Sequence, residues 1–141
     1  MTRIKKRFNI FDASTLASRN TRLSRFINRL VNNCQVDKSA TIGESLKLSH
    51  CGASTVIGKN VRIGKNVHIY HNVTIGTGKK YTNEYPIIED NVTIYPGSII
   101  IGAIIVGEGS VIGAHSLINK SVPAHSIVFS KHKLVIKNKG E

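Results

Sequence analysis

"IGKNVRIGKNVHIYHNVTIG", residues 57–76, repeats a six-residue phrase with an aliphatic residue at its head. The register extends both ways from this stretch. Upstream the heads are Val36, Ile42 and Leu48; from the quoted stretch onward they are Ile57, Ile63, Ile69, Ile75, Ile88, Ile94, Ile100, Val106, Ile112 and Ile118. Two breaks interrupt it: three extra residues in "LSHCGASTV" (48–56) and a longer insertion in "GTGKKYTNEYP" (76–86). A fixed period sustained over this length specifies a solenoid, in which each unit buries its apolar face only by stacking on its neighbours.

The other positions say how six residues are spent. The fifth is small or β-branched, as in Ala40, Val61, Val67, Val73, Val92, Ser98, Ser110, Ser116 and Val122. The fourth is Asn60, Asn66, Asn72, Asn91, Gly97 or Gly109, residue types that tolerate the left-handed backbone of a tight corner. Val and Ile favour strands, so each unit reads as one short strand and one corner. Three faces close a triangular coil, and coils stack ~4.8 Å apart.

The quoted repeats, with "VDKSATIG" and "VGEGSVIGAHSLI", resemble the hexapeptide-repeat acyltransferases. The resemblance implies an all-β fold, a left-handed parallel β-helix solenoid, that assembles as a homotrimer with sites between subunits. It spans residues 34–128, the expected repeat domain, with a protruding loop at about 77–87. Residues 129–141 form a basic tail. Residues 1–33 stand apart. Leu16, Leu23, Phe26, Ile27 and Leu30 recur at helical spacing, predicting a short N-terminal α-helix over 14–31. Three roles are weighed for this basic amphipathic segment: capping the open sheet edge of the first coil, lying on an anionic membrane surface, and, third, serving as a basic tail for nucleic acid.

Charge is placed unevenly along the chain. Of the net +12, residues 1–33 supply +7, with eight Lys or Arg against Asp12, and residues 131–141 supply +3. The repeats are nearly neutral, so they do not read as a nucleic-acid platform. The longest apolar run, "SIIIGAIIVG" (98–107), is too short for a bilayer and is broken by Gly102. No secretory signal is recognisable at the start, and the expected location is cytoplasmic, at the inner face of the membrane if the helix docks there. Cys34 and Cys51 lack disulfide or metal spacing and are expected to be reduced.

A regular solenoid has no pockets, so chemistry is expected at the breaks. His50 and His71 occupy the same position in successive coils if the three extra residues bulge outward. A histidine there can exchange protons near neutral pH. Around these breaks the sequence resembles the serine acetyltransferase type, and more closely the short relatives from polysaccharide gene clusters such as colanic-acid acetyltransferases. That resemblance implies acetyl-CoA as acyl donor and His50 as the general base. The acceptor hydroxyl then attacks the thioester directly, with no covalent enzyme intermediate. His71 is the second candidate. Gln35 stands fifteen residues before His50, where those enzymes carry an orienting aspartate. Their carboxylate-holding Arg-His pair aligns with Glu84 and Tyr85, and an acid there repels a carboxylate. The reading that follows is a sugar hydroxyl of a surface polysaccharide or its precursor as acceptor. Serine O-acetylation is the alternative.

By the same resemblance, CoA runs past Thr77, Gly78, Lys79, Pro96, Gly102, Ala103 and Ala114, with Lys120, Lys131 and Lys133 toward its phosphates. The closing "GxPA" of the family is replaced by "VPAHSIVFSKHKLVIK". No metal is expected, because the six histidines do not reproduce the paired spacing of zinc enzymes on this fold, and His68 is expected to face solvent. Cys51 lacks an orienting partner for a thiol nucleophile. A non-enzymatic β-helix assembly protein would carry a flat face of repeated Thr, which is missing from the sequence.

Overall fold

The computed structural model describes residues 13–19, 21–78 and 85–131. Among the described residues, fourteen short strands wind into a parallel β-helix of three sheets. Sheet A stacks β1 (Gln35–Val36), β4 (Val56–Ile57), β7 (Thr74–Gly76), β10 (Ile99–Ile101) and β13 (Leu117–Ile118). Sheet B stacks β2 (Thr41–Ile42), β5 (Arg62–Ile63), β8 (Ile87–Ile88) and β11 (Ile105–Val106). Sheet C stacks β3 (Lys47–Leu48), β6 (His68–Ile69), β9 (Thr93–Ile94), β12 (Val111–Ile112) and β14 (Ile127–Val128). The chain visits A, B and C in turn, so each strand pairs with the one a full coil away, as Val36 with Ile57 and Ile57 with Ile75.

Register decides what is inside. Every aliphatic head points inward and is buried, apart from the half-buried Ile42. The residue before each head points outward. The fifth positions are buried as well, and where they are serine the hydroxyl is satisfied. Ser98 Oγ donates to the carbonyls of Tyr95 and Gly113, both at 2.9 Å. The fourth positions take the left-handed backbone at Asn60, Asn66, Asn72, Asn91, Gly97 and Gly109, and His115 does so at the equivalent corner.

The expected single helix over 14–31 is instead two, α1 (Ala13–Arg19) and α2 (Arg22–Asn32). Thr21 caps α2 by accepting the Ser24 N–H at 3.2 Å. Capping of the coil falls to α1: Leu16 and Ala17 are buried, and Ser14 Oγ accepts the Leu48 N–H at 2.7 Å on the sheet edge. The stripe of α2 does not take part. Its polar residues Ser24, Asn28 and Asn32 face the coil, and Leu23, Phe26 and Leu30 face outward.

Candidate active site

The first break becomes an enlarged corner between β3 and β4. It takes seven residues, 49–55, where the next coil takes four, 70–73. His50 (φ 53°), Cys51 (φ 57°) and Gly52 (φ 61°) are successively left-handed, and Ser54 follows at 56°. Such a run in non-glycine residues stores strain and persists only because the surroundings fix it. The fixing bonds are visible. Ala53 N–H donates to His50 O at 3.2 Å, Thr55 N–H to Gly52 O at 2.9 Å, and Asn72 N–H in the next coil to Ala53 O at 2.8 Å. Gly52 is buried, and a Cβ on it would stand 3.1 Å from Leu48 Cδ1 and 3.3 Å from Cys34 Sγ.

The corner holds the His50 side chain exposed on the edge between sheets C and A. His71, one coil on, packs edge-to-face against it, with ring centroids 5.0 Å apart and planes at 89°. His71 Nδ1 is buried and has no hydrogen-bond partner among the described residues. This pair shares the edge with a set that sequence reasoning missed. His68 stacks on Tyr70 at 4.6 Å, Tyr70 stacks on Tyr95 at 5.0 Å, and His50 lies 6.4 Å from Tyr70. His68 does not simply face solvent, as expected. It is half-buried, and its Nε2 is 2.6 Å from Ser49 Oγ, the residue before His50. Burial pushes the His68 imidazole below its usual range, aided by the cation of Lys47 on the paired strand. The recurrence of aromatic residues at corner positions 70 and 95 was the available signal.

The other expected site residues divide between two edges. Pro96, Ala114 and Lys131 lie on the C-to-A edge with His50, whereas Thr77, Gly78, Gly102, Ala103 and Lys120 lie on the A-to-B edge. Gln35 points outward at the start of β1, and no hydrogen bond joins it to His50 among the described residues. Tyr85 lines a groove of about 520 Å³ on sheet B with Ser39, Asn60, Arg62 and Ala103, away from the His50 corner of the same chain. Lys79, Glu84 and Lys133 lie outside the described residues. Cys34 is buried, and its thiol is pushed up to about 11 by burial, so it is not a nucleophile near neutrality. Cys51 is exposed, and both cysteines are free. Among the described residues no group of three His, Cys, Asp or Glu is arranged to hold a metal ion. Nor is any described helix long and apolar enough to cross a membrane.

The family described as "Bacterial transferase hexapeptide (six repeats)" matches residues 54–78 and 85–120. A serine acetyltransferase from Staphylococcus xylosus is 38% identical over 120 residues, 84% of this chain and 55% of that protein. The chain carries the hexapeptide repeat of bacterial transferases and is serine acetyltransferase-like. The serine acetyltransferase of Neisseria gonorrhoeae, solved in complex with serine, resembles this serine acetyltransferase-like chain with a TM-score of 0.70 at 29% identity, covering 77% of this chain and 46% of that one. The enzyme from Brucella abortus strain S19, solved with coenzyme A, also gives 0.70 at 29%, covering 84% and 48%. The chain spans about half the length of the curated relatives it matches.

These likenesses correct the expected acceptor. The curated relatives at 36–38% identity are serine acetyltransferases, so the sugar-hydroxyl reading and the closeness to polysaccharide enzymes are not upheld. That reading rested on Glu84 and Tyr85, aligned across the insertion where loop length is least fixed. Of the two, only Tyr85 is described, and it stands just before β8, lining the groove beside sheet B.

Proposed function

We propose that the chain is an acetyl-CoA-dependent O-acetyltransferase acting on L-serine, with His50 as general base. The observation that carries the reading is the His50 corner: an exposed imidazole, fixed by a strained and hydrogen-bonded turn, on a chain whose relatives are serine acetyltransferases. In this reaction the serine hydroxyl oxygen attacks the thioester carbonyl while His50 takes its proton. The new C–O bond forms and the C–S bond breaks. The imidazolium then returns the proton to the departing sulfur, so the enzyme ends unchanged. His71, edge-on to His50, restricts the rotation of that ring.

Three copies assemble in this reading. The candidate CoA residues stand on two edges of one prism with sheet A between them, so a pocket drawing on both edges needs a second chain. Supporting this, the outward side chains Ile99 and Leu117 of sheet A are 42% and 54% exposed in the single chain. The test is CoA release from acetyl-CoA, followed with a thiol reagent, with L-serine, with sugars and with no acceptor. Serine-dependent release supports the reading; release with sugars alone removes serine as the acceptor.

A further inference from the structure

Helix α2 carries its polar side inward. Ser24, Asn28 and Asn32 are buried, while Leu23, Phe26, Leu30 and Val31 are between 57% and 72% exposed. The inversion has a local cause. Asn28 Oδ1 accepts the Asn32 amide at 2.9 Å, its side chain bonds the Cys34 thiol, and its carbonyl takes the Cys34 N–H at 3.3 Å. The polar face thus ties the helix to the start of the coil. Because α1 already closes that coil, the apolar stripe is left exposed among the described residues.

The charges beside the stripe indicate what would cover it. Arg22 and Arg29, both exposed, border it along one side, and neither helix contains Asp or Glu. Arg25, in the same row, shares a groove with Asp37, whose carboxyl is held low against its burial by hydrogen bonds from Ser39, with smaller contributions from Lys38 and Arg25. In the sequence before α1, Arg3, Lys5, Lys6 and Arg7 add further positive charge against Asp12. A short helix with an exposed apolar stripe bordered by arginines matches the boundary between phosphates and acyl chains: the stripe enters the boundary and the guanidinium groups meet the phosphates.

We propose that α2 docks this protein on an anionic phospholipid surface. A second copy of the chain fits the stripe less well as an antiparallel pair, in which facing helices would oppose identical arginine rows. Of the five described carboxylates, Glu44, Glu89, Asp90 and Glu108 stand on the B-to-C edge, and Asp37 stands on the A-to-B edge near Arg25 of the same chain. That edge is a polar ladder, in which Asn66 bonds Asn91 at 3.3 Å and Asn91 bonds Glu108 at 3.2 Å. The proposal is independent of the acetyl-transfer reading.

The experiment is co-sedimentation of the full chain with vesicles of phosphatidylcholine alone or mixed with phosphatidylglycerol, at low and high salt. Binding is expected only to the mixed vesicles, weakened by salt. It should fall roughly thirtyfold in Arg22→Gln/Arg29→Gln, the loss of two surface cations, and disappear in Phe26→Ser/Leu30→Ser. Circular dichroism should stay unchanged, because all four side chains are exposed. Absence of binding to the mixed vesicles overturns the proposal, as does binding that these variants leave intact. A smaller assembly for Phe26→Ser/Leu30→Ser in light scattering, with vesicle binding retained, also overturns it and assigns the stripe to a second copy.

Discussion

Replacing Gly52 with alanine tests whether the His50 corner is held where it is by packing from below. Gly52 has φ +61°, so any L side chain there pays the left-handed penalty of about 1–2 kcal/mol. The added methyl also meets Leu48 Cδ1 at 3.1 Å and Cys34 Sγ at 3.3 Å, and both side chains are buried. Crowding of this kind adds about 1 kcal/mol when neighbours can yield by a few tenths of an ångström. The sum is about 2–3 kcal/mol. With a urea slope of about 1.5 kcal/mol/M, the unfolding midpoint falls by roughly 1.5–2 M. Gly76→Ala is the control. Among the described residues its Cβ would find only Gly58 Cα, at 4.0 Å, and no left-handed backbone is involved, so its midpoint should stay within about 0.7 M of the parent. Both variants are unfolded at one protein concentration and followed by circular dichroism, because assembly makes the midpoint concentration-dependent. Equal midpoints for the two variants would refute the claim that the corner is locked by close packing.

Other outcomes follow from the same structure. Cys34 keeps its proton up to about pH 11 in the folded chain against an ordinary value near 9, so unfolded chains ionise first as pH rises. Stability should therefore decline by roughly 2–3 kcal/mol between those values and level off above, and Cys34→Ala should remove that part of the slope in urea titrations at successive pH. Ile94 is fully buried, and Ile94→Ala should cost about 2–5 kcal/mol in thermal or urea unfolding, whereas its outward neighbour Thr93→Ala should change stability by about 0.5 kcal/mol or less. Cys51→Ser should keep CoA release near the parent rate, since the exposed thiol has no part in direct attack; a loss equal to that of His50→Ala would instead assign it a covalent step.

The coil was legible because its signals are local and repeated. An aliphatic head at Ile63, Ile69 or Ile94 is buried wherever the six-residue count is kept, and asparagine at 60, 66, 72 and 91 marks the left-handed corners. The adjacency of His50 and His71 followed from the same count, once the three extra residues are placed in the corner. Helix α2 is less legible. Periodicity finds the stripe of Leu23, Phe26 and Leu30 but not the side the coil takes, which the hydrogen bonds of Asn28 to Asn32 and Cys34 decide. His68 reads as solvent-facing because an outward position in one strand gives no hint of a serine from the coil before it. The acceptor is not legible from Glu84 and Tyr85, because two side chains beside a long insertion carry less information than the likeness of the whole coil.

The most direct test of the central claim is product analysis by mass spectrometry after incubating the chain with acetyl-CoA and L-serine. The account predicts O-acetylserine, with its rate of formation reduced by about 10²–10⁴ in His50→Ala. Absence of O-acetylserine from the parent protein, or its undiminished formation by His50→Ala, would contradict it.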